Sequence, residues 1–432
     1  MVENFITQEV NKDNFKEVFG KYLSEGDLLI DFADTVGTKD ILAWCAENNI
    51  MYINTGEADW PDNWYSIFNE NTLKREIINK YKKSNNTNKH PIILQHGNNP
   101  GLVSHFVKAG IEYIVNTQFK KDKNLKQLLK DNKFNEVALK LGIKIIHVND
   151  IDLQETSDED DENLYSTWCI DSFFFEMLSE ATFNIGTHEK IDYKDECNLI
   201  DVDKGFLEFK NIAVDKKCKT YYPYGKFEGF LVPHEETITI AQNLEVKDGE
   251  KVIYRPSVMF IYSPCKAAIN YLNHSKVNEY PNVDLNKPKD KEGLDIKEDT
   301  IIRGHIYPKR AEILYKEKIK AGCEYVGVLI MGEDFKPVWV GNRVEDTFLY
   351  KSKKDSYWQT PTITPVAMSA LAAVSYMIKH KDKRGIYFQD DIIDYKYILK
   401  IAEKYISKTI YKTLDKEEFN IYTFNAKDFF VN

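Results

Sequence analysis

Short polar constellations in this sequence combine residue types that can hold cations and move protons. His234-Glu235-Glu236 sets an imidazole two residues from a carboxylate. In an extended chain those positions share a face, and such a pair can transfer protons or grip an amine near neutral pH. The triplet could also take a metal ion, but no further ligand pattern supports one, so no metal is expected; a solvated strand edge would carry the same residues. Trp168 and Glu176 lie about two turns apart if helical, near one face, downstream of Asp150 and Asp152. A diamine carries two ammonium groups, so its site needs carboxylates at both ends and often an aromatic face for a cation. A buried tryptophan and a surface glutamate would fit the same spacing. Gln95-His96-Gly97-Asn98-Asn99-Pro100-Gly101 sits between a strand-like and a helix-like stretch, where open α/β sheets bind ligands. A plain turn with Asn99 capping the helix and Pro100 in its first turn is the other reading. Gly186-Thr187-His188-Glu189 is a fourth polar cluster that a turn would also explain.

The elements that must position these groups alternate in type. Asn14 to Leu23 reads as a helix, Leu28 to Ala33 as a buried parallel strand, Lys39 to Asn48 as a helix and Met51 to Asn54 as a strand. Pro91 to Leu94 is a strand leading into the His96 segment, a helix starts near Leu102, and Lys144 to Val148 is a further strand. This order predicts right-handed crossovers and an open parallel sheet. After Trp168 the pattern changes: Phe206 to Phe209, Gly229 to Val232 and Thr237 to Ala241 read as strands of an α+β unit, and Tyr325 to Met331 as a buried strand. Thr156 to Glu162 reads as a solvated acidic loop and Val277 to Ile301 as a surface insertion. The last eighty or so residues return to helix, including Ile392 to Tyr405, with small residues from Ala367 to Ala373 suited to close packing, at a subunit contact among other places.

Bulk properties narrow the classes. A chain of 432 residues predicts two or three domains. A net charge of −10 argues against nucleic acid and is compatible with a cationic small substrate. The six cysteines are scattered with no CxxC pair, and no signal peptide opens the chain, which predicts reduced thiols in a cytoplasmic protein. The longest apolar run, Val366 to Ile378, is too short to span a bilayer, so no membrane partner is expected. No two glycines are separated by a single residue, so the GxGxxG fingerprint is absent, as is a P-loop.

In this order the pieces resemble the bacterial homospermidine synthases, relatives of saccharopine dehydrogenase. His96-Gly97-Asn98-Asn99-Pro100-Gly101-Leu102-Val103-Ser104-His105-Phe106-Val107-Lys108 carries most of the likeness. Trp168 with Asp171 and Phe173, Gly186 to Glu189, His234 to Glu236, Tyr254 to Val258, Ser263-Pro264-Cys265, Gly327 to Gly332 and Trp339 to Arg343 follow in register. The resemblance runs from about Ile6 to the end. It implies NAD-dependent coupling of two putrescines to homospermidine with loss of ammonia, through imine intermediates, NAD serving as a recycled hydride carrier. It implies Trp168 facing a cationic imine, Glu176 holding or deprotonating an amine, and His234 and Glu236 lining the same pocket. Asp150, Glu324 and Glu57 would bind substrate; Asn99, Asp34 and Thr55 would bind the cofactor, Asn99 near the nicotinamide.

The implied fold is α/β: an incomplete Rossmann-like parallel sheet with an α+β substrate domain and C-terminal helices. The boundaries read as 1–148 for the Rossmann-like NAD-binding domain without its first βα unit, and 149–350 for the substrate domain with its insertion near 277–301. Residues 351–432 read as a helical segment packing back on both. The protein is expected to be a homo-oligomer, a dimer in the first instance. The family's opening strand and glycine turn have no counterpart here, which predicts weak NAD binding unless another segment supplies them. Ala58, between Glu57 and Asp59, replaces a family glutamate, and Asp150 stands for another, shortening its reach by one methylene. Two other readings compete: a saccharopine- or carboxyspermidine-type amine dehydrogenase, needing an arginine for a carboxylate, for which Arg255, Arg303, Arg310 and Arg343 are available; and an impaired homologue that only binds polyamines.

Overall fold

Short apolar runs bounded by turn residues form the first sheet. In the computed structural model, which describes residues 5–33, 36–60, 79, 88–157, 160–190, 192–201, 203–277, 300–315, 317–345, 360–415 and 423–431, Leu28–Asp31, Met51–Asn54 and Pro91–Leu94 pair side by side in parallel. The last two are buried along their whole length, which is why they read as continuous apolar runs rather than alternating ones. The helix Thr38–Glu47 makes the crossover between the first two, burying Ile41, Leu42, Trp44 and Cys45.

The fourth strand of this sheet comes from far along the chain: Gly385–Phe388 pairs in parallel with Pro91–Leu94. The segment expected to extend the sheet, Lys144 to Val148, belongs to a strand Ile143–Asp152 at the centre of a separate ten-stranded mixed sheet. There it runs parallel to Ser257–Ser263 and antiparallel to Cys323–Gly332. Partner choice is a long-range property, and a ten-residue strand finds its match in another of ten residues rather than in strands of four.

Thr237 to Ala241, which reads as a strand, lies instead inside the helix Glu235–Asn243. Alternating Thr and Ile favour a strand, but this segment packs its Thr and Ile side chains inside the protein, and packing outweighs propensity. Glu235 and Glu236 in its first turn suit the positive end of the helix dipole. Trp168 precedes, rather than joins, the helix Ile170–Leu178 that carries Glu176. The C-terminal region is not all helix: strands Gly385–Phe388 and Ile410–Thr413 interrupt it, and the helix read over Ile392 to Tyr405 is confined to Tyr395–Ala402.

The helix Leu102–Gln118 lies between the sheets. A single apolar core runs from Ile53 and Ile93 through Phe106 and Val107 to Val148, Phe260 and Val328. Gly110 permits the close approach, since a Cβ there would stand 2.5 Å from Ile330 Cδ1. A second core, including Ile145, Ile151, Phe183, Leu329 and Trp339, covers the other face of the large sheet. The helix Ile363–Lys379 buries Ser369, Ala370, Ala372 and Ala373, so its small residues serve packing within the chain. No described helix is long and apolar enough to cross a membrane.

Candidate active site

Side chains two apart on a strand share a face, and the central strand uses this to change character along its length. Val148 packs in the main core, Ile151 in the opposite one, and Asp150 and Asp152 follow Val148 on its face. Tyr262 stands beside Asp150 on the parallel neighbour, and Glu324 opposite Asp152 on the antiparallel one. Asp150, Asp152 and Glu324 are 7%, 3% and 3% exposed. Three adjacent strands thus carry an apolar floor that ends in a buried acidic patch.

Two helices close over the patch. His234 precedes the first residue of Glu235–Asn243 and stacks on Phe260, ring centroids 4.2 Å apart at 12°. Its Nδ1 contacts the Glu236 carboxylate and lies 3.4 Å from Glu235 Oε2. Glu236 and Glu176 are buried. Trp168 donates from Nε1 to Tyr262 Oη at 3.0 Å, and Thr167 donates to Asp152 Oδ2 at 2.6 Å. The structure therefore brings together Trp168, Glu176, His234, Glu236, Asp150 and Glu324, six residues singled out from sequence.

The electrostatics follow from crowding acids out of water. Burial pushes Glu176 up to about 8, against the pull of His234, with Glu235, Asp150 and Glu236 adding to the rise. Burial likewise pushes Asp150 up to about 7, opposed by the Asn99 hydrogen bond and helped by Asp152. Glu324 is held well above the carboxylate range by burial and by Asp150 and Asp152. For His234, burial pulls down, but Glu236, Glu235 and Glu176 together push it up to about 10. Glu236 is raised by burial although His234 pulls the other way; the raised His234 favours an imidazolium facing the Glu236 carboxylate. Asp150 Oδ1, Glu236 Oε1 and Glu324 Oε2 are buried without a hydrogen-bond partner. A site so composed offers unspent acceptors and negative charge to a bound cation.

The remaining assigned residues lie at the carboxyl edge of the parallel sheet. Asn99 does not cap a helix: its Nδ2 donates to Asp150 Oδ2 at 2.6 Å, and the helix begins at Leu102 after Gly101. Gly97 packs on Thr55, where a Cβ would meet Thr55 O at 3.2 Å. Gln95 Oε1 and Asn98 Oδ1 are buried and unpartnered in the same loop. These groups fit the amide and ribose end of a nicotinamide dinucleotide, which crosses the carboxyl ends of parallel strands; the pyrophosphate-binding GxGxxG is absent from the sequence. Glu57 is half-buried in the loop after Met51–Asn54. Asp34 lies outside the described residues.

The rest of the glycine motif is structural. His96 Nε2 and His105 Nε2 are 3.0 Å apart, His96 Nδ1 is 3.0 Å from Ser369 Oγ, and both rings are fully buried. Lys108 Nζ donates to the carbonyls of Asp390 and Ile392 at 2.5 and 2.8 Å. Gly101 has φ +140°, and a Cβ there would fall 1.8 Å from Gly97 O. Gly101→Ala is expected to cost on the order of 3 kcal/mol, because both backbone conformation and contact are lost. A melting curve checks this, and an unchanged midpoint would refute it.

Gly186 to Glu189 stays outside the site. Glu189 Oε1 accepts from Ser257 Oγ at 2.7 Å and from Ala426 N at 2.8 Å, and His188 Nε2 meets Phe424 O at 2.9 Å. Ser257 lies at the far end of the strand from Tyr262, about 17 Å away at strand rise. The arginines are also engaged elsewhere. Arg255 pairs with Glu245 at 3.0 Å, Arg303 with Glu180 at 2.9 Å, Arg310 with Glu312 at 3.4 Å and Arg343 with Glu345. Sequence reasoning missed Tyr262; no local pattern marks it, because its place beside Asp150 comes from strand pairing.

Fold and site together define a Rossmann-like α/β protein with a buried acidic site, and the family model for the saccharopine dehydrogenase NADP binding domain matches residues 2–92. The chain is similar to homospermidine synthases along nearly its whole length. That of Mesorhizobium japonicum is 24% identical over 415 residues, 93% of this chain and 79% of the relative. That of Blastochloris viridis is 23% identical over 421 residues, 94% of this chain and 80% of the relative. The crystal structure of the Legionella pneumophila homospermidine synthase in complex with NAD matches with a TM-score of 0.80 at 25% identity, covering 98% of this chain and 86% of that one.

Proposed function

We propose that this protein is an NAD-dependent homospermidine synthase that joins two putrescines and releases one ammonia. The observation that carries the reading is the buried acidic patch under Trp168, built from Asp150, Asp152, Glu176, Glu236 and Glu324. A diammonium substrate neutralises such a site, whereas a substrate carboxylate would need an arginine. Arg255, Arg303, Arg310 and Arg343 already pair with acids outside it.

Reversible hydride acceptance is the chemistry NAD supplies, with Asn99, Thr55 and Gly97 placed to hold its nicotinamide end. The chain's own residues manage protons and charge. An amine must be neutral before it can lose hydride or attack an imine. Glu176, raised by burial, is suited to take that proton, and Asp150, fixed by Asn99, to hold the nitrogen. The indole of Trp168 faces the delocalised iminium, which carboxylates and an aromatic face stabilise. An imidazolium at His234, raised by Glu236 and its neighbours, has a proton to give to the departing ammonia. Glu324 and Asp152 are left to hold the distal ammonium.

Incubation with putrescine and NAD, followed by mass spectrometry, tests this. The expected result is homospermidine with one ammonia per molecule and no net NADH. Steady NADH release without homospermidine would reassign the chain as a simple amine dehydrogenase. Putrescine binding with no product would favour a polyamine-binding homologue.

A further inference from the structure

We infer that Tyr262 is a positioning residue that pins the indole of Trp168 over the cation site, an inference that rests on the proposed role of Trp168. Trp168 stands in the turn before the helix Ile170–Leu178, half-buried, so secondary structure alone does not fix its ring. Its Nε1–H donates to Tyr262 Oη at 3.0 Å. Phe173 braces both rings edge-on, 6.2 Å from Trp168 at 87° and 6.3 Å from Tyr262 at 83°. From the other side, Thr167 is tied to Asp152 at 2.6 Å, so the backbone leading into the indole is anchored to the same strand that carries Asp150.

Tyr262 occupies the register position beside Asp150 on the parallel neighbour. The aromatic face and the carboxylate are thereby set relative to one another through a single phenol. Burial, then the charges of Asp150 and Asp152, keep that phenol far above its ordinary titration range, so it stays a neutral hydroxyl at any working pH. Cation–π attraction requires the cation within roughly 6 Å of the ring centroid. An indole freed from Tyr262 would hold its N–H unsatisfied and leave that geometry. Nothing in composition or motif singles out this tyrosine among 26 in the chain; the register does.

Tyr262→Phe keeps the ring against Phe173 and removes only the oxygen. The expected result with putrescine and NAD is a kcat lower by about five- to tenfold, the loss of one hydrogen bond's worth of positioning, with KM little changed. In a Trp168→Phe background the same substitution should have no further effect, since the two act as a unit. Equal losses in both backgrounds would show that Tyr262 acts independently of Trp168 and overturn the inference. A spectroscopic arm separates this from the functional reading. Acrylamide quenching of the ligand-free protein, taken as the difference from Trp168→Phe, should rise when Tyr262 is replaced by Phe, whether or not the wild type turns over diamines. Unchanged quenching would overturn the inference even in an active enzyme. Absence of turnover with increased quenching would instead remove the proposed function and leave the clamp standing.

Discussion

Glu176→Gln is expected to lower kcat for homospermidine formation by about 10²–10⁴-fold, the usual contribution of a positioned general base. The glutamine keeps the shape of the side chain and loses the ability to take a proton. Glu176 is buried, on the helix Ile170–Leu178, and its carboxyl is raised to about 8 by burial, against the pull of His234. In the ligand-free protein much of it is protonated at neutral pH, so the base form grows as pH rises. The pH profile of kcat/KM should therefore climb through this region in the wild type and lose that limb in the variant. A variant with wild-type kcat would show that another group removes the proton.

The second large effect belongs to Asp150. Asp150→Asn leaves a neighbour for Asn99 but removes a charge that would pair with the proposed diamine substrate. Truncating one partner of a buried charge pair costs about 2–5 kcal/mol, so putrescine affinity should fall roughly 30- to several-thousand-fold. Calorimetric titration of the full protein measures it, and unaltered affinity would remove Asp150 from the substrate site. The same group is expected to make stability depend on pH. Asp150 is raised from 3.8 to about 7 and Glu176 from 4.5 to about 8, burial being the main cause in both.

The sign of the pH effect follows directly. Between its unfolded and folded values each group binds more protons in the native state, so unfolding releases protons and stability falls as pH rises. His234, raised to about 10, acts in the same direction: its contribution is complete below 6.5 and lost as pH passes its folded value. The ligand-free protein should melt lower at about pH 8.5 than at about pH 5.5. Putrescine should restore more of the midpoint at the higher pH, where it meets ionised carboxylates. In Asp150→Asn the slope with pH should shrink; an unchanged slope would assign the effect to other groups.

The sequence by itself determined most of the local elements and singled out the residues of the proposed site. Apolar runs such as Pro91–Leu94, and the helical pattern of Thr38–Glu47, are set by neighbours in the chain. Trp168, Glu176, His234, Glu236 and Asp150, the residues of the proposed site, could be singled out because their types would suit an amine substrate and because the resemblance follows the chain in order. What stayed hidden depends on partners remote in sequence. The strand Ile143–Asp152 looks like the next strand of the parallel sheet until Cys323–Gly332 and Ser257–Ser263 claim it, and Gly385–Phe388 takes the vacated place more than 290 residues after Pro91–Leu94. Thr237 to Ala241 has strand propensity and becomes helix because packing against the sheet outweighs that preference. Only the tertiary structure set Tyr262 beside Asp150, turned Asn99 from a cap into a donor, and gathered five acids where water cannot screen them. Their raised proton affinities are consequences of that burial, and no stretch of sequence carries burial on its own.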